Sequence, residues 1–279
     1  MIKKANLRLL VNRWIPPILH EAARQLINPH TGLRESLPNW SQAVENSDGY
    51  SQEYILAKVL HSRRRVLSGE AAFERDGVIF PEVIYSWPLL SGLMWVAAKN
   101  FGSLRVLDFG GSLGSSYYQN EKFLTSLDAQ FGVVEQENYV VNGTKFCAAA
   151  QLSFHRSITG CVEALSPNVA ILSGVLQYLE EPRLVLDELV RNKIETVILD
   201  RTPFQAGAKD DVVCIQVVPK AIYPASYPSW IFARDPFFAE LAINYEIVAR
   251  FDSLDGCITT SQGISVSHEG AILQLKVSK

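Results

Sequence analysis

From residue 104 onward the chain alternates short apolar runs with amphipathic stretches, and that rhythm limits the folds open to it. Residues 104–109, 131–135, 168–172 and 196–200 are almost uniformly apolar, with 151–154 as a further candidate strand. Strands apolar on both sides are buried on both faces, which is the habit of parallel strands covered by helices. Residues 115–127, 138–150 and 182–191 read as those helices. Ser115 or Ser116 suits the start of the first, and Pro182 falls near a first turn, where a missing N–H costs little. After residue 200 the rhythm is lost. It returns with a helix near 236–243 and strands near 245–251 and 271–277, which would pair antiparallel at the end of the sheet across the polar segment 252–270. Ahead of residue 103 apolar residues fall at helical spacing, as in Ile55, Val59 and Leu60, or Leu89, Leu90 and Leu93. The reading is an α/β domain over 103–279 carrying a helical N-terminal cap over 1–102.

Composition narrows the function classes. The 279 residues are 48% hydrophobic and 20% charged, enough to bury a core without staples. The formal net charge of −3 gives no broad footprint for nucleic acid. Cys147, Cys161, Cys214 and Cys257 include no C-x-x-C pair, so neither a metal site nor a disulfide framework is expected, and the protein reads as reduced and cytoplasmic. Residues 1–26 are basic and partly apolar. They suit either a helix packed on the domain or peripheral contact with the inner face of a membrane. Arg13 and Pro16-Pro17 argue against a signal peptide. Oligomeric state is left open.

The most informative segment is Asp108-Phe109-Gly110-Gly111-Ser112-Leu113-Gly114, between a strand and a helix. Glycines there let the backbone turn sharply and approach a ligand closely, at a helix N-terminus that offers free N–H groups. Ser112 stands where the second glycine of a dinucleotide fingerprint would be, and no Gly-Lys-Ser/Thr follows as in a phosphate loop. Asp108 would repel a pyrophosphate. It suits a cationic ligand carrying an amine and a sulfonium, a description that fits S-adenosyl-L-methionine. Glu135 ends the second strand, where its carboxylate could accept hydrogen bonds from ribose hydroxyls. NAD sites use the same device, so Glu135 indicates adenosine without choosing the cofactor.

These residues resemble class I S-adenosylmethionine-dependent methyltransferases. The phrases VLDFGGSLGSSYYQN, VVEQENYV, LSGVLQYLEEP, ILDRTPF and YPASYPSW, with GEAAFERD upstream, resemble more closely a bacterial family of methyltransferases associated with surface-polysaccharide gene clusters. The resemblance implies a Rossmann-like fold with a mostly parallel seven-stranded sheet and an antiparallel last strand. It implies that Asp108, Gly110, Gly111, Ser112 and Gly114 line the methionine end of the cofactor. Glu135 would hold the ribose and Gln136 would lie beside the adenine. Ser173, Gly174 and Val175 would close the site near the reactive methyl. No acid follows the third strand, so Phe154 or His155 is the candidate to stack on the adenine.

Methyl transfer to a hydroxyl needs an aligned acceptor and a base. The base candidates at strand ends are His155, Glu180, Glu181 and Asp200. Gln177 and Tyr178 are expected to face the acceptor, and Arg201 to hold an anionic group or an internal ion pair. The aromatic, proline-rich stretch with Tyr223, Tyr227, Trp230 and Phe232 suits either a sugar platform or a sealed domain edge. Trp40, Tyr50 and Tyr54 could form an opposite wall. Arg63-Arg64-Arg65 reads first as a solvated helix face. The leading reading is O-methylation of a glycan or other small-molecule acceptor, without nucleic acid. Two others stand beside it: a nicotinamide-dependent oxidoreductase, and a catalytically degenerate cofactor-binding module docking on a membrane polysaccharide-assembly complex.

Overall fold

The computed structural model describes residues 32–47, 52–147, 149–218 and 225–276. The basic segment 1–26, Tyr50 and Tyr223 lie outside the described residues.

Seven strands form the central sheet. They are β4 (Ser103–Phe109), β5 (Asp128–Val134), β6 (Leu152–His155), β7 (Val169–Ser173), β8 (Thr196–Gln205), β11 (Tyr245–Thr259) and β12 (Ser265–Leu275). Their order is β6-β5-β4-β7-β8-β12-β11. β4 to β8 pair parallel, and β12 runs antiparallel to both β8 and β11. The expected Rossmann-like α/β sheet with its antiparallel last strand is therefore present. Side chains alternate between two cores, as a two-residue period demands. Val106, Ile171 and Ile198 pack with Leu93, Val96 and Tyr117 on one face. Leu107, Leu172 and Leu199 pack with Cys161, Leu189 and Phe237 on the other. The first face is covered by α3 (Trp87–Lys99) and α4 (Ser115–Leu124), the second by α6 (Ile158–Leu165), α7 (Pro182–Arg191) and α8 (Arg234–Asn244). α5 (Glu137–Phe146) lies against β6.

The region ahead of residue 103 is more than helical. α1 (Trp40–Glu45) and α2 (Gln52–Leu67) are joined by β1 (Gly32–Leu37) and by a small hairpin, β2 (Phe73–Arg75) and β3 (Val78–Phe80). β1 pairs with β9 (Val212–Val217), which pairs with β10 (Ser226–Ala233). β10 in turn joins the end of β8 at Phe232 and Phe204. The stretch after residue 200, read as an aromatic loop, thus folds largely into strands. Segment 252–270, expected to separate two strands, instead extends β11 and β12 into one long hairpin with Asp252 opposite Glu269. α6 had no counterpart in the sequence reading. Its N-cap is Ser157, whose Oγ accepts from Gly160 N at 3.1 Å. Cys147, Cys161 and Cys214 are buried thiols, and Cys257 is exposed. Among the described residues no helix is long and apolar enough to cross a membrane.

Gly143 in α5 faces the Phe154 ring so closely that a Cβ would lie 2.4–2.6 Å from its atoms. Helix propensity alone would make Gly143→Ala stabilising by about 1 kcal/mol. The clash reverses the sign. Gly143→Ala is expected to cost about 1–3 kcal/mol, lowering the midpoint of thermal unfolding by about 5 °C in calorimetry.

Candidate functional site

The parallel strands end at one level, and backbone bonds carry that level into the loops beyond them. Gly110 N donates to Val134 O at 2.9 Å, Glu135 N to His155 O at 3.0 Å and Gly174 N to Asp200 O at 2.9 Å. The loops after β4, β5, β7 and β8 therefore meet at the carboxyl edge of the sheet, where open α/β sheets bind ligands. A cleft of about 920 Å³ opens there. Phe109, Gly110, Ser112, Glu135, Gln136 and Tyr139 line one part of it, and Gly174, Val175, Tyr178 and Arg201 its middle. Gln216, Val218, Tyr227 and Pro228, from the β9–β10 ribbon, face Ile55 and Val59 of α2 and Phe80 of β3 across the remainder. Its inner end is a narrow pocket lined by Asp108, Gly111, Ser173, Asp200 and Arg75.

The glycine loop covers Asp108. Gly110 has φ +71, and a Cβ there would lie 2.5 Å from the Val175 side chain. A Cβ on Gly111 would lie 2.4 Å from Asp108 Oδ2. Ser112, the departure from the expected glycine, takes the left-handed conformation at φ +55, unfavourable by about 1–2 kcal/mol for a residue with a Cβ. Its amide donates to Glu135 Oε1 at 3.2 Å, and Gln136 N donates to Glu135 Oε2 at 2.9 Å. Glu135 is thus a brace for the loop as well as a wall of the cleft. Burial raises its pKa against those two bonds. Asp108 is 1% exposed and its Oδ2 has no hydrogen-bond partner. Burial pushes its carboxyl up to about 7, opposed by a hydrogen bond from Ser116 and reinforced by Glu135.

A second buried acid reaches the same helix start. Glu74 of β2 accepts from Ser115 Oγ at 2.7 Å and is likewise pushed up to about 7, chiefly by burial. Near it Arg63 is buried, with its guanidinium 3.1 Å from the centre of the Tyr118 ring. The solvated face expected for Arg63 is thus corrected, because Tyr118 of α4 packs on it. Arg65 does face outward, paired with Glu70 at 3.1 Å.

Asp200 Oδ2 accepts from Ser86 Oγ at 3.0 Å, and its Oδ1 from Ser253 Oγ at 2.7 Å and from Arg201 N at 2.9 Å. A carboxylate held by three donors is a structural anchor rather than a base. Arg201, at φ +57, donates from Nε to Asp255 at 2.7 Å and from Nη2 to Asp76 at 3.0 Å. Burial alone would lower its pKa, but Asp76 and Asp255 raise it. Asp255 falls below the usual carboxylate range because Arg201 and Arg75 outweigh its burial. Tyr178 donates to Gln216 Oε1 at 2.9 Å and meets the Tyr227 ring edge-on at 5.2 Å.

The predicted residues divide accordingly. Gly110, Ser112, Glu135, Gln136, Gly174, Val175, Tyr178 and Arg201 line the cleft, and Asp108, Gly111 and Ser173 its inner end. Four others do not. Phe154 packs beneath Gly143 of α5, outside the cleft lining. His155 turns toward Ser153, its Nε2 2.8 Å from Ser153 Oγ, and toward Gly132. Burial lowers its pKa. Gln177 is buried and donates to Arg201 O at 3.2 Å, which makes it a support for that turn. Gly114 caps α4, where a Cβ would meet Leu152 at 2.8 Å. The sequence reading missed Arg75, Asp76, Gln216 and Asp255. Only the first two carried a signal, within GEAAFERD. Trp40 stacks on Trp230 at 5.6 Å, away from the cleft lining, and so seals the ribbon.

No family model matches the sequence, and no curated protein matches it. Solved structures do resemble the fold. The N-terminal domain of EvdMO1, crystallised with S-adenosylhomocysteine and D-fucose, superposes with a TM-score of 0.46 at 15% identity, over 81% of this chain and 98% of that one. An S-adenosylmethionine-dependent methyltransferase from Clostridium acetobutylicum gives 0.45 at 8% identity, over 79% and 99%. The glycopeptide N-methyltransferase MtfA, complexed with S-adenosylmethionine, gives 0.43 at 13%, over 64% and 92%. Scores and identities this low leave the chemistry of this chain to its own residues.

The two raised acids set a pH dependence. Asp108 and Glu74 have folded pKa values near 7, above their ordinary 3.8 and 4.5, so folding takes up protons in between. Stability therefore falls as pH rises from about 4 to 7, by at most about 1.4 kcal/mol per pH unit for each group. Asp108→Asn removes one titration and should flatten that slope in urea unfolding followed across this range. An unchanged slope would place the Asp108 carboxyl back in the ordinary range.

Proposed function

We propose that this chain is an S-adenosyl-L-methionine-dependent methyltransferase that methylates a hydroxyl of a sugar or other small molecule in surface-polysaccharide assembly. The observation that carries the reading is Asp108. A buried carboxylate oxygen without a partner, beneath a loop whose glycines leave no room for a Cβ, is a receptor for a cationic ligand. The residues present fit the cofactor. Asp108, Gly110, Gly111 and Ser173 would hold its methionine end. Glu135 has lone pairs left for ribose hydroxyls, and Gln136, Tyr139 and Arg156 flank the adenine side. When bound, it supplies an activated methyl on a sulfonium, and the protein has to align an acceptor and exclude water.

The acceptor half of the cleft pairs ring faces with polar tips. Tyr178, Tyr227 and Pro228 give flat apolar contact, and Gln216 and the Tyr178 hydroxyl give hydrogen bonds, the combination a sugar ring needs. Asp76 and Asp255 are the acids on that side. The Asp76 side chain is 59% exposed, while Asp255 is shared between two arginines. We assign to Asp76, in place of His155, the acceptance of the hydroxyl proton as the oxygen takes the methyl; Arg201 engages its Oδ2, and the side chain is open to solvent, to which the proton passes.

Calorimetry tests the cofactor. S-adenosylmethionine and S-adenosylhomocysteine should bind the wild-type protein saturably, at least about tenfold more weakly to Asp108→Ala and Glu135→Ala, as expected for lost charge-assisted contacts. NAD should give no heat. Binding of NAD alone would turn the reading to an oxidoreductase. No binding by the folded protein would end it.

A further inference from the structure

The segment Glu74-Arg75-Asp76 lies ahead of the sheet domain, yet Arg75 and Asp76 line the site. Glu74 is anchored by Ser115 at the start of α4, at 2.7 Å. Asp76, in the left-handed turn of the hairpin at φ +54, is anchored by Arg201 at 3.0 Å. Between these anchors Arg75 lines both the inner pocket and the wide cleft.

The two arginines of the inner pocket, Arg75 and Arg201, are not equivalent. Arg201 is engaged by two carboxylates at hydrogen-bond distance. Arg75 has one ion pair among the described residues, to Asp255 at 3.8 Å, beyond hydrogen-bond reach. Burial and the neighbouring Arg201 lower its pKa against Asp255, Asp76 and Asp200, which raise it, and none of these acids meets it at hydrogen-bond distance. A guanidinium in that position calls for an anion that can take its planar fork.

The inner pocket sets what the anion is attached to. Three acids line it along with Arg75: Asp108, Asp200 and Asp76, the last already paired with Arg201. Asp200 is already held by three donors, whereas Asp108 keeps an oxygen without a partner. One unspent carboxylate and one unspent guanidinium in a single narrow pocket are complementary to a zwitterion, an ammonium and a carboxylate on one carbon. An α-amino acid has that form. We propose that Arg75 is the receptor for the α-carboxylate of the cofactor's methionine end, with Asp108 receiving the ammonium. The hairpin thereby completes the cofactor pocket. The assignment rests on reading the cleft as an S-adenosylmethionine site.

The test varies residue and ligand together. The ligands are S-adenosylhomocysteine, its decarboxylated analogue S-adenosyl-3-thiopropylamine, and 5′-methylthioadenosine, titrated by calorimetry into wild type, Arg75→Gln and Arg75→Lys. Arg75→Gln should weaken S-adenosylhomocysteine by about 10–100-fold, the range for hydrogen bonds to charged groups. It should leave the decarboxylated ligand within about twofold, and that retained binding also reports an intact fold. Arg75→Lys should recover part of the loss, since it keeps the charge without the fork. Equal weakening of both ligands would make Arg75 merely structural and overturn the proposal, as would no change with either. Failure of all three ligands to bind wild type would instead overturn the cofactor reading, and this assignment with it.

Discussion

The architecture of the site depends on the buried carboxylate of Asp200. It ties together the start of α3 through Ser86, the long hairpin through Ser253 and the backbone of β8 itself through Arg201 N. The sheet parts at this point. β8 pairs with β7 as far as Ser173 and Asp200, and beyond it β10 takes the same edge at Phe204 and Gln205. Arg201 makes the turn in a left-handed conformation, and the register of β12 shifts opposite it, between Glu269 and Ala271. At Gly270 a side chain would collide with the Phe251 ring and with Leu199 O. The cleft is the space left between β7 and the β9–β10 ribbon once β8 has changed neighbours.

Charge within that space is arranged asymmetrically. Arg201, Asp76 and Asp255 satisfy one another and fasten the hairpin across the opening. Asp108, Glu74 and Glu135 instead stand at the start of α4, where the helix dipole favours anions but burial opposes their ionisation. Buried acids so poorly compensated are costly to a folded chain, and they cluster where a ligand supplies the missing counter-charge. The proposed cofactor would bring such a counter-charge to Asp108, whose Oδ2 has no partner.

Much of this was legible in the sequence. Residues 104–200 declared a parallel sheet because strands buried on both faces need no polar alternation, and Val106, Leu107, Ile171 and Leu172 do pack into two opposite cores. The same logic hid β9, β10 and the outer half of the long hairpin. Val212–Val217 does carry an apolar run, but no helix follows to continue the strand-helix rhythm; Ser226–Ala233 is interrupted by Pro228, and Asp252–Thr259 is largely exposed. α6 was obscured by its shortness, although Ser157 as a cap was readable in principle. The loop from Asp108 to Gly114 and the acid Glu135 were legible because a sharp turn at a strand end needs those residue types. The roles of Phe154 and His155 were not, since adjacent residues on a strand face opposite ways and only packing against α5 or Gly132 decides which lies inside.

By itself, the sequence determined the period of each element, the turns that glycine permits and the acids at strand ends. These are local properties, encoded by residues close together along the chain. The tertiary structure alone decided that Arg75 would share a pocket with Asp108, that Asp76 would close on Arg201, and that Tyr178 would meet Gln216 and Tyr227. Those partners come from distant segments. Which of them meet depends on strand register, on the parting of the sheet at Asp200 and on how the N-terminal hairpin is held over it, because side-chain reach is only a few ångströms and a charge finds its counterpart only where the whole fold brings it.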